Sequence, residues 1–286
     1  MSDKKTILDF DTDGMEISEL FQFLIDNIKT VFGITSGITI LAIIYSLLIT
    51  PIYQAEVIAI PAADKQSAGS LAKSLSGLSS IAGKILPGGA ADTIETTIAI
   101  AESKKFNILF VKQENLLPLL FKEDWNEEDQ SWINGVAPSD LGAQSAIRDH
   151  YSIGYDKRDG IITISMNWDD PILAAKYANN YVTSINNYIR NDEIAEAQKS
   201  IEFLKIEIQA TTLVDIRNVL NSMIQEQLQT IMLANIREDY VFKVIDPAMV
   251  PKTRIKPKRT QIVLVGFFFG LILSTLTLII RKNYNI

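Results

Sequence analysis

The run QIVLVGFFFGLILSTLTLII, residues 261–280, carries no charge, and it follows directly on DPAMVPKTRIKPKRT, residues 246–260, which packs three prolines and five basic residues into fifteen positions. About 20 uncharged apolar residues is the length that crosses a bilayer core. A second run of the same kind, VFGITSGITILAIIYSLLIT, occupies residues 31–50. The two explain why a chain of net charge −7 is 47% hydrophobic and has a mean hydropathy of +0.14; that balance is high for a wholly soluble domain.

The first run does not read as a cleaved signal. It starts some thirty residues in, behind a leader holding seven Asp or Glu and three Lys, and it ends at TPIYQAE without a small-residue cleavage site. Two retained spans make the chain a hairpin through the membrane. The expected organisation is a segment 1–30, a span 31–50, a domain 51–259 on the other side, a span 260–280 and a tail 281–286. Charge leaves the side open. Lys252, Arg254, Lys256, Lys258 and Arg259 lie on the loop side of the second span, against Lys4, Lys5, Lys29, Arg281 and Lys282 on the tails, and long loops cross largely regardless of charge.

Catalysis finds little support. Cysteine is absent and His150 is the only histidine, with no second zinc ligand and no nucleophile motif beside it. GLSSIAGKI, residues 77–85, fails as a phosphate loop: its glycines are one residue too far apart, and Ile stands where Ser or Thr must meet magnesium. The carboxylates are dispersed as on solvated faces. The reading is therefore no catalytic residue, no metal and no cofactor.

Within the domain, IYQAEVIAIP (52–61) and YVFKVIDP (240–247) read as strands leaving and returning to the membrane, hence antiparallel neighbours. A loose helix is expected over 69–95, then two helices within 93–121 broken near Ser103, an acidic loop KEDWNEEDQSW, and two strands over 150–168 about a Lys-Arg-Asp-Gly turn. Between Pro171 and Pro247 there is no glycine or proline. Asp170 followed by Pro171 is a helix start. The long helix shows one apolar seam at Ala178, Val182, Ile185 and Ile189 and another, displaced by a residue, at Ala197, Ile201, Leu204 and Ile208. ATTLVD (210–215) is the expected tip and 216–236 the return helix, a hairpin over about 171–237 with apolar surface to spare for neighbouring subunits. The fold class is α+β: two membrane helices flanking a base domain with a long protruding helical hairpin.

Four glycines are candidates for packing in the membrane. Gly33 with Gly37, and Gly266 with Gly270, have the small-x-x-x-small spacing that lets helices approach closely. The two pairs stand at different depths and cannot dock on each other, so at least one is free for another subunit; Gly266 and Gly270 are expected to serve oligomer contact. Pro247, Pro251 and Pro257 are expected to stiffen the link to the second span. Arg254, Lys258 and Arg259 are candidates for contact with lipid headgroups, a lipid-linked pyrophosphate or a polymerase, Arg supplying a two-pronged fork for phosphate.

EISELFQFLIDNIKTVFG before the first span, TPIYQAEVIAIP after it, WDDPILAAKYANNYV opening the long helix and FKVIDPAMVPKTRIKPKRT before the second span resemble the chain-length determinant proteins of bacterial polysaccharide synthesis, the Wzz-type polysaccharide co-polymerases. The likeness spans essentially the whole chain and is sharpest at the two ends. It implies a periplasmic α+β base with a helical hairpin, both termini cytoplasmic, and homo-oligomeric rings in the bacterial inner membrane. It further implies control of the length of O-antigen, capsule or a related undecaprenyl-linked glycan, without enzymatic activity. The implied partners are a membrane polysaccharide polymerase, the glycan and the phospholipid bilayer, with no nucleic acid. No fused tyrosine kinase is expected. The alternative is a two-span sensor without an output domain of its own.

Overall fold

The computed structural model describes residues 27–62 and 90–283, so most of the helix expected over 69–95, the string 77–85 and the N-terminal leader lie outside the described residues. The chain divides into two compact units, one made of the terminal segments up to Pro51 and from Ile255 onward, the other of Ile52–Arg254.

The first unit contains two long helices, α1 (Ile28–Leu48) and α8 (Arg259–Asn283). Both are long and apolar enough to cross a membrane. They run antiparallel, since Gly266 stands opposite Ala42 and Gly270 opposite Thr35. Ser274 and Leu278 are buried along α8, and Thr35 and Ser46 along α1. Most other positions on the two helices carry apolar groups outward, as a lipid-facing surface requires.

In the second unit the sheet is antiparallel, with the order β4 (Tyr151–Asp156), β5 (Ile161–Trp168), β1 (Ile52–Pro61), β6 (Phe242–Asp246). The expectation that the strand after the first span pairs antiparallel with the strand before the second holds, from Pro61↔Phe242 to Ile58↔Asp246, with a register shift between Ile58 and Ala59. On its other side β1 pairs with β5 from Tyr53↔Trp168 to Ala59↔Ile162. Alternation sets the faces: Ala55, Val57 and Ala59 on β1 and Ile162, Ile164, Met166 and Trp168 on β5 are buried together. The β4–β5 turn is closed by Gly160, at φ +67 with its N–H donated to the Asp156 carbonyl at 2.8 Å, a backbone state that glycine adopts without steric cost.

The long helix α6 (Pro171–Ala210) covers the buried face. It starts where Asp170 accepts a hydrogen bond from the Ile172 N–H at 2.7 Å and Pro171 fills the first turn. Ala174 and Ala178 let the helix sit close to the sheet, with Val182, Ile185 and Ile189 continuing the seam, and Ala197, Ile201 and Leu204 are buried farther along. Two helices lie beside it, α2 (Ala90–Ala101) and α3 (Lys104–Gln113), and the break between them is where expected: Ser103 accepts from the Phe106 N–H at 3.2 Å. Phe106 and Phe110 meet Tyr181 edge-on at 5.3 and 5.0 Å, and the Tyr181 hydroxyl donates to the Ala101 carbonyl at 2.8 Å. Burial pushes that phenol well above its ordinary range.

Some local readings are refined. The tip is shorter than expected: only Thr211 to Leu213 leave the helical state, and α7 (Val214–Ile236) begins two residues earlier. After the short turn α4 (Leu117–Leu120), the acidic loop folds into a small ladder, β2 (Trp125–Asn126) against β3 (Ser131–Trp132). The helix α5 (Asp140–Arg148) was not anticipated, although Ser139 accepting from the Gly142 N–H at 3.2 Å, Asp140 in the first turn and Arg148 in the last are ordinary terminal signals.

Candidate functional site

The chain between α7 and the second membrane helix holds half of the candidate residues, and α6 fixes its course as far as Ala248. Asn186, 4% exposed, accepts from the N–H groups of Val241 and Phe242 at 3.0 and 2.9 Å and donates to the Phe242 carbonyl at 2.8 Å. Two helical turns earlier, Asn179 does the same for one residue: its side-chain oxygen accepts from the Ala248 N–H at 2.9 Å and its amide nitrogen donates to the Ala248 carbonyl at 3.0 Å. Two turns of helix return a side chain to nearly the same face. Arg190 donates to the Arg237 carbonyl at 3.2 Å, and Glu193 accepts from the Tyr240 hydroxyl. Burial, then the bond to Glu193, holds the Tyr240 phenol above its usual value.

Asn179, Asn186, Arg190 and Glu193 form one polar stripe, spaced by seven, four and three residues, that grips the returning chain at five positions from Arg237 to Ala248. The sequence reading followed the apolar seam of α6 and missed this stripe. Its signal was present: four hydrogen-bonding residues at helical spacing beside the seam. What each would grip could not be read, because the partners lie 47 to 69 residues away.

Beyond Ala248 the side chains turn outward. Pro247, Met249 and Val250 are exposed, and so are Lys252, Arg254, Lys256 and Lys258, while Pro251, Pro257 and Arg259 are half-buried. Arg254–Lys256 form a short strand, β7. Among the described residues none of the five cations has a carboxylate partner. Exposed apolar groups next to unpaired cations at the start of a span suit an interface with anionic headgroups or phosphate.

The glycines separate into two kinds. A Cβ built on Gly266 would lie 2.5 Å from the Ala42 Cβ, and one on Gly270 would lie 3.0 Å from the Thr35 Cα, whereas Gly33 and Gly37 have nothing within 4 Å. Gly266 and Gly270 thus stand at a close approach to the first helix of the same chain, and the open pair is Gly33 with Gly37.

His150 is structural. Its Nδ1 donates to the Asn167 carbonyl at 2.9 Å and its ring lies 4.4 Å from that of Trp168.

A family model described as "Chain length determinant protein", Wzz, matches residues 13–113, and a second, GNVR, described as "G-rich domain on putative tyrosine kinase", matches residues 198–283. The second match is to the G-rich domain and takes in α7, β6, the basic segment and the second span. No curated protein matches. Among solved structures, a full-length bacterial polysaccharide co-polymerase is 14% identical at a TM-score of 0.44, covering 94% of this chain and 98% of that one. A fragment of WzzB, a polysaccharide co-polymerase from Salmonella Typhimurium, is 13% identical at 0.31, covering 72% and 99%. A point mutant of a Shigella flexneri lipopolysaccharide O-antigen chain-length regulator is 15% identical at 0.24, covering 71% and 99%. The two family models between them take in both membrane-length helices and the segments that adjoin them: the chain carries a Wzz chain length determinant domain over residues 13–113 and a GNVR domain over residues 198–283.

Proposed function

We propose that this protein sets the chain length of a bacterial surface polysaccharide, O-antigen or a related glycan built on undecaprenyl pyrophosphate. It acts without catalysis, as a homo-oligomeric scaffold beside the membrane polymerase. Residues 51–259 lie in the periplasm, residues 1–30 and 281–286 in the cytoplasm, and the spans in the inner membrane. The observation that carries the reading is the chain length determinant match over residues 13–113, which enters the domain directly from the first of two membrane-length helices. Placement is tested in a chain free of native cysteine: single cysteines at Asp156 and Asp215, both exposed, react with an impermeant thiol reagent in intact spheroplasts, and one at Ser2 does not. The reverse pattern inverts the topology.

The segment from Pro247 to Arg259 is the working surface toward the membrane in this reading. Pro247, Pro251 and Pro257 restrict the backbone. The cations meet anionic headgroups, each contributing about 1 kcal/mol, and Arg254, Lys258 and Arg259 meet the pyrophosphate of the carrier or the polymerase. A gel ladder of surface glycan tests both levels. Deleting the protein shifts the length distribution while total synthesis continues; an unchanged ladder overturns the function, and loss of synthesis favours an enzyme. Restoring the protein with Arg254 and Arg259 changed to Lys keeps the charge and removes the fork. Altered length at normal protein level in that strain supports direct phosphate contact, a normal ladder with Lys but not with Gln reduces the segment to a headgroup anchor, and a normal ladder with both removes the cations from the mechanism.

A further inference from the structure

The β2–β3 ladder sets Trp125 directly opposite Trp132, with ring centroids 4.8 Å apart and the planes at 66°. Both indoles are only half-buried, and both line a cleft of 580 Å³ together with Asn115, Pro118, Glu127 and Gln130. A cross-strand aromatic pair steadies a hairpin by itself. That role explains the two indoles but not the polar side chains around them.

Asn115 at φ 51 and Gln130 at φ 47 are the only non-glycine residues at positive φ among the described residues, and both line this one cleft. Asn115 occupies the position after α3 where the chain turns left-handed: the Leu116 N–H donates to the Val111 carbonyl at 2.9 Å and the Asn115 N–H to the Lys112 carbonyl at 3.3 Å. Glycine is the ordinary residue there. Gln130 ends the loop between the two strands in the same left-handed state, which costs a residue with a Cβ about 1–2 kcal/mol. The folding of both turns would be served as well by glycine, yet each carries an amide into the cleft. Among the described residues no partner occupies the side chains of Asn115, Glu127 or Gln130, whereas Asn126 and Asp129 are bonded to each other at 2.8 Å. The comparable groove along α6 differs on this point, because Arg190 and Asn187 there are bonded to each other.

Half-exposed indole faces beside unspent amides and a carboxylate make up the chemistry that holds a sugar ring: C–H groups lie on the aromatic face and hydroxyls pair with amide and carboxylate oxygens. The surrounding charge narrows the class. Glu123, Asp124, Glu127, Glu128 and Asp129 crowd the loop, and the nearby Lys122 is engaged by Asp169, so an anionic ligand is repelled. We propose that the Trp125–Trp132 cleft binds an uncharged saccharide unit of the growing glycan, an assignment that rests on the length-control reading above.

The left-handed positions supply the test. Asn115→Gly with Gln130→Gly removes both amides at sites where glycine is the conformationally preferred residue, so the double variant folds and melts no lower than wild type. The probe is the source bacterium's own surface polysaccharide, cut to oligosaccharides by mild acid and added to the full-length protein in detergent. Two of the three tryptophans lie in the cleft and the third, Trp168, is buried, so indole fluorescence reports the cleft. The expected result is a saturable fluorescence change with saturation transfer to sugar protons, at least tenfold weaker in the double variant and lost in Trp132→Leu. Absence of saturable binding, or equal binding in both variants, overturns the cleft. The two readings fail separately: a ladder altered by deletion with no oligosaccharide bound removes the cleft alone, and an unaltered ladder removes length control, and with it the growing glycan as ligand, whatever the cleft binds.

Discussion

Asn186→Ala is expected to lower the stability of the Ile52–Arg254 unit by about 3 kcal/mol, the largest loss from any single polar side chain on α6. The three groups it satisfies, the N–H of Val241, the N–H of Phe242 and the carbonyl of Phe242, are backbone groups at residues that are themselves buried, 7% and 0% exposed. No water reaches them when the amide is removed, and each buried unmade bond costs about 1–3 kcal/mol, not fully additively. For a unit of this size that corresponds to a fall in melting temperature of about 6–12 °C, read on the full-length protein in mild detergent from the fluorescence of buried Trp168 in a chain lacking the other two tryptophans. Asn186→Asp keeps an acceptor for the two N–H groups but turns a carboxylate oxygen toward the Phe242 carbonyl, so it should fall at least as far as halfway to the alanine variant. Asn235→Ala is the control: this exposed asparagine bonds only within its own helix, to the Ile231 carbonyl at 2.8 Å, and its loss should stay within about 0.5 kcal/mol. Equal melting of the Asn186 and Asn235 variants would remove the clamp from the account of how α6 holds the returning strand.

The second large effect lies in the membrane. Gly266→Ala is expected to destabilise the two-helix hairpin by about 1–3 kcal/mol, the usual range for overpacking, because its Cβ would stand 2.5 Å from the Ala42 Cβ where carbon atoms settle at about 3.5–4.0 Å. Ala42→Gly in the same chain moves the clash out of the way and should return most of the loss, a coupling that two independent sites would not show. Gly266→Leu with Gly270→Leu should part the helices to the roughly 8–10 Å separation of ordinary side-chain packing. Spin labels on cysteines at Lys29 and Thr277, two exposed positions near one end of the antiparallel pair, would then give a longer and broader distance distribution. Gly33→Leu with Gly37→Leu meets nothing within 4 Å and should leave that distance unchanged. If the two leucine pairs behave alike, Gly266 and Gly270 do not pack the hairpin.

What was readable in the sequence was what neighbouring residues decide among themselves. Two uncharged runs of membrane length marked the spans, loose alternation and β-forming residues in IYQAEVIAIP and the two runs about the Lys-Arg-Asp-Gly turn marked strands, and Asp170 before Pro171 marked the start of the long helix to the residue. The family likeness was carried by the same stretches. Less was readable in two places: the β-branched Thr211 and Thr212 suggested a wider turn than three residues, and α5, at nine residues, shows its apolar side over little more than two turns.

Pairing across the chain was decided only in three dimensions. Both glycine pairs have identical spacing, and only the crossing of α1 against α8 makes one of them a contact and leaves the other open. YANNYV reads as any helix segment, yet Asn179 takes the backbone of Ala248 and Asn180 takes Glu114 at 2.8 Å. Asn115 and Gln130 look like ordinary loop amides, and their shared left-handed geometry and shared cleft exist only after α3 and the Trp125–Trp132 ladder have come together. The physical reason is common to all three. Local pattern sets which groups a residue can present and on which face, while the partner of a buried amide or the neighbour of a missing Cβ is set by which distant segment the core brings alongside it.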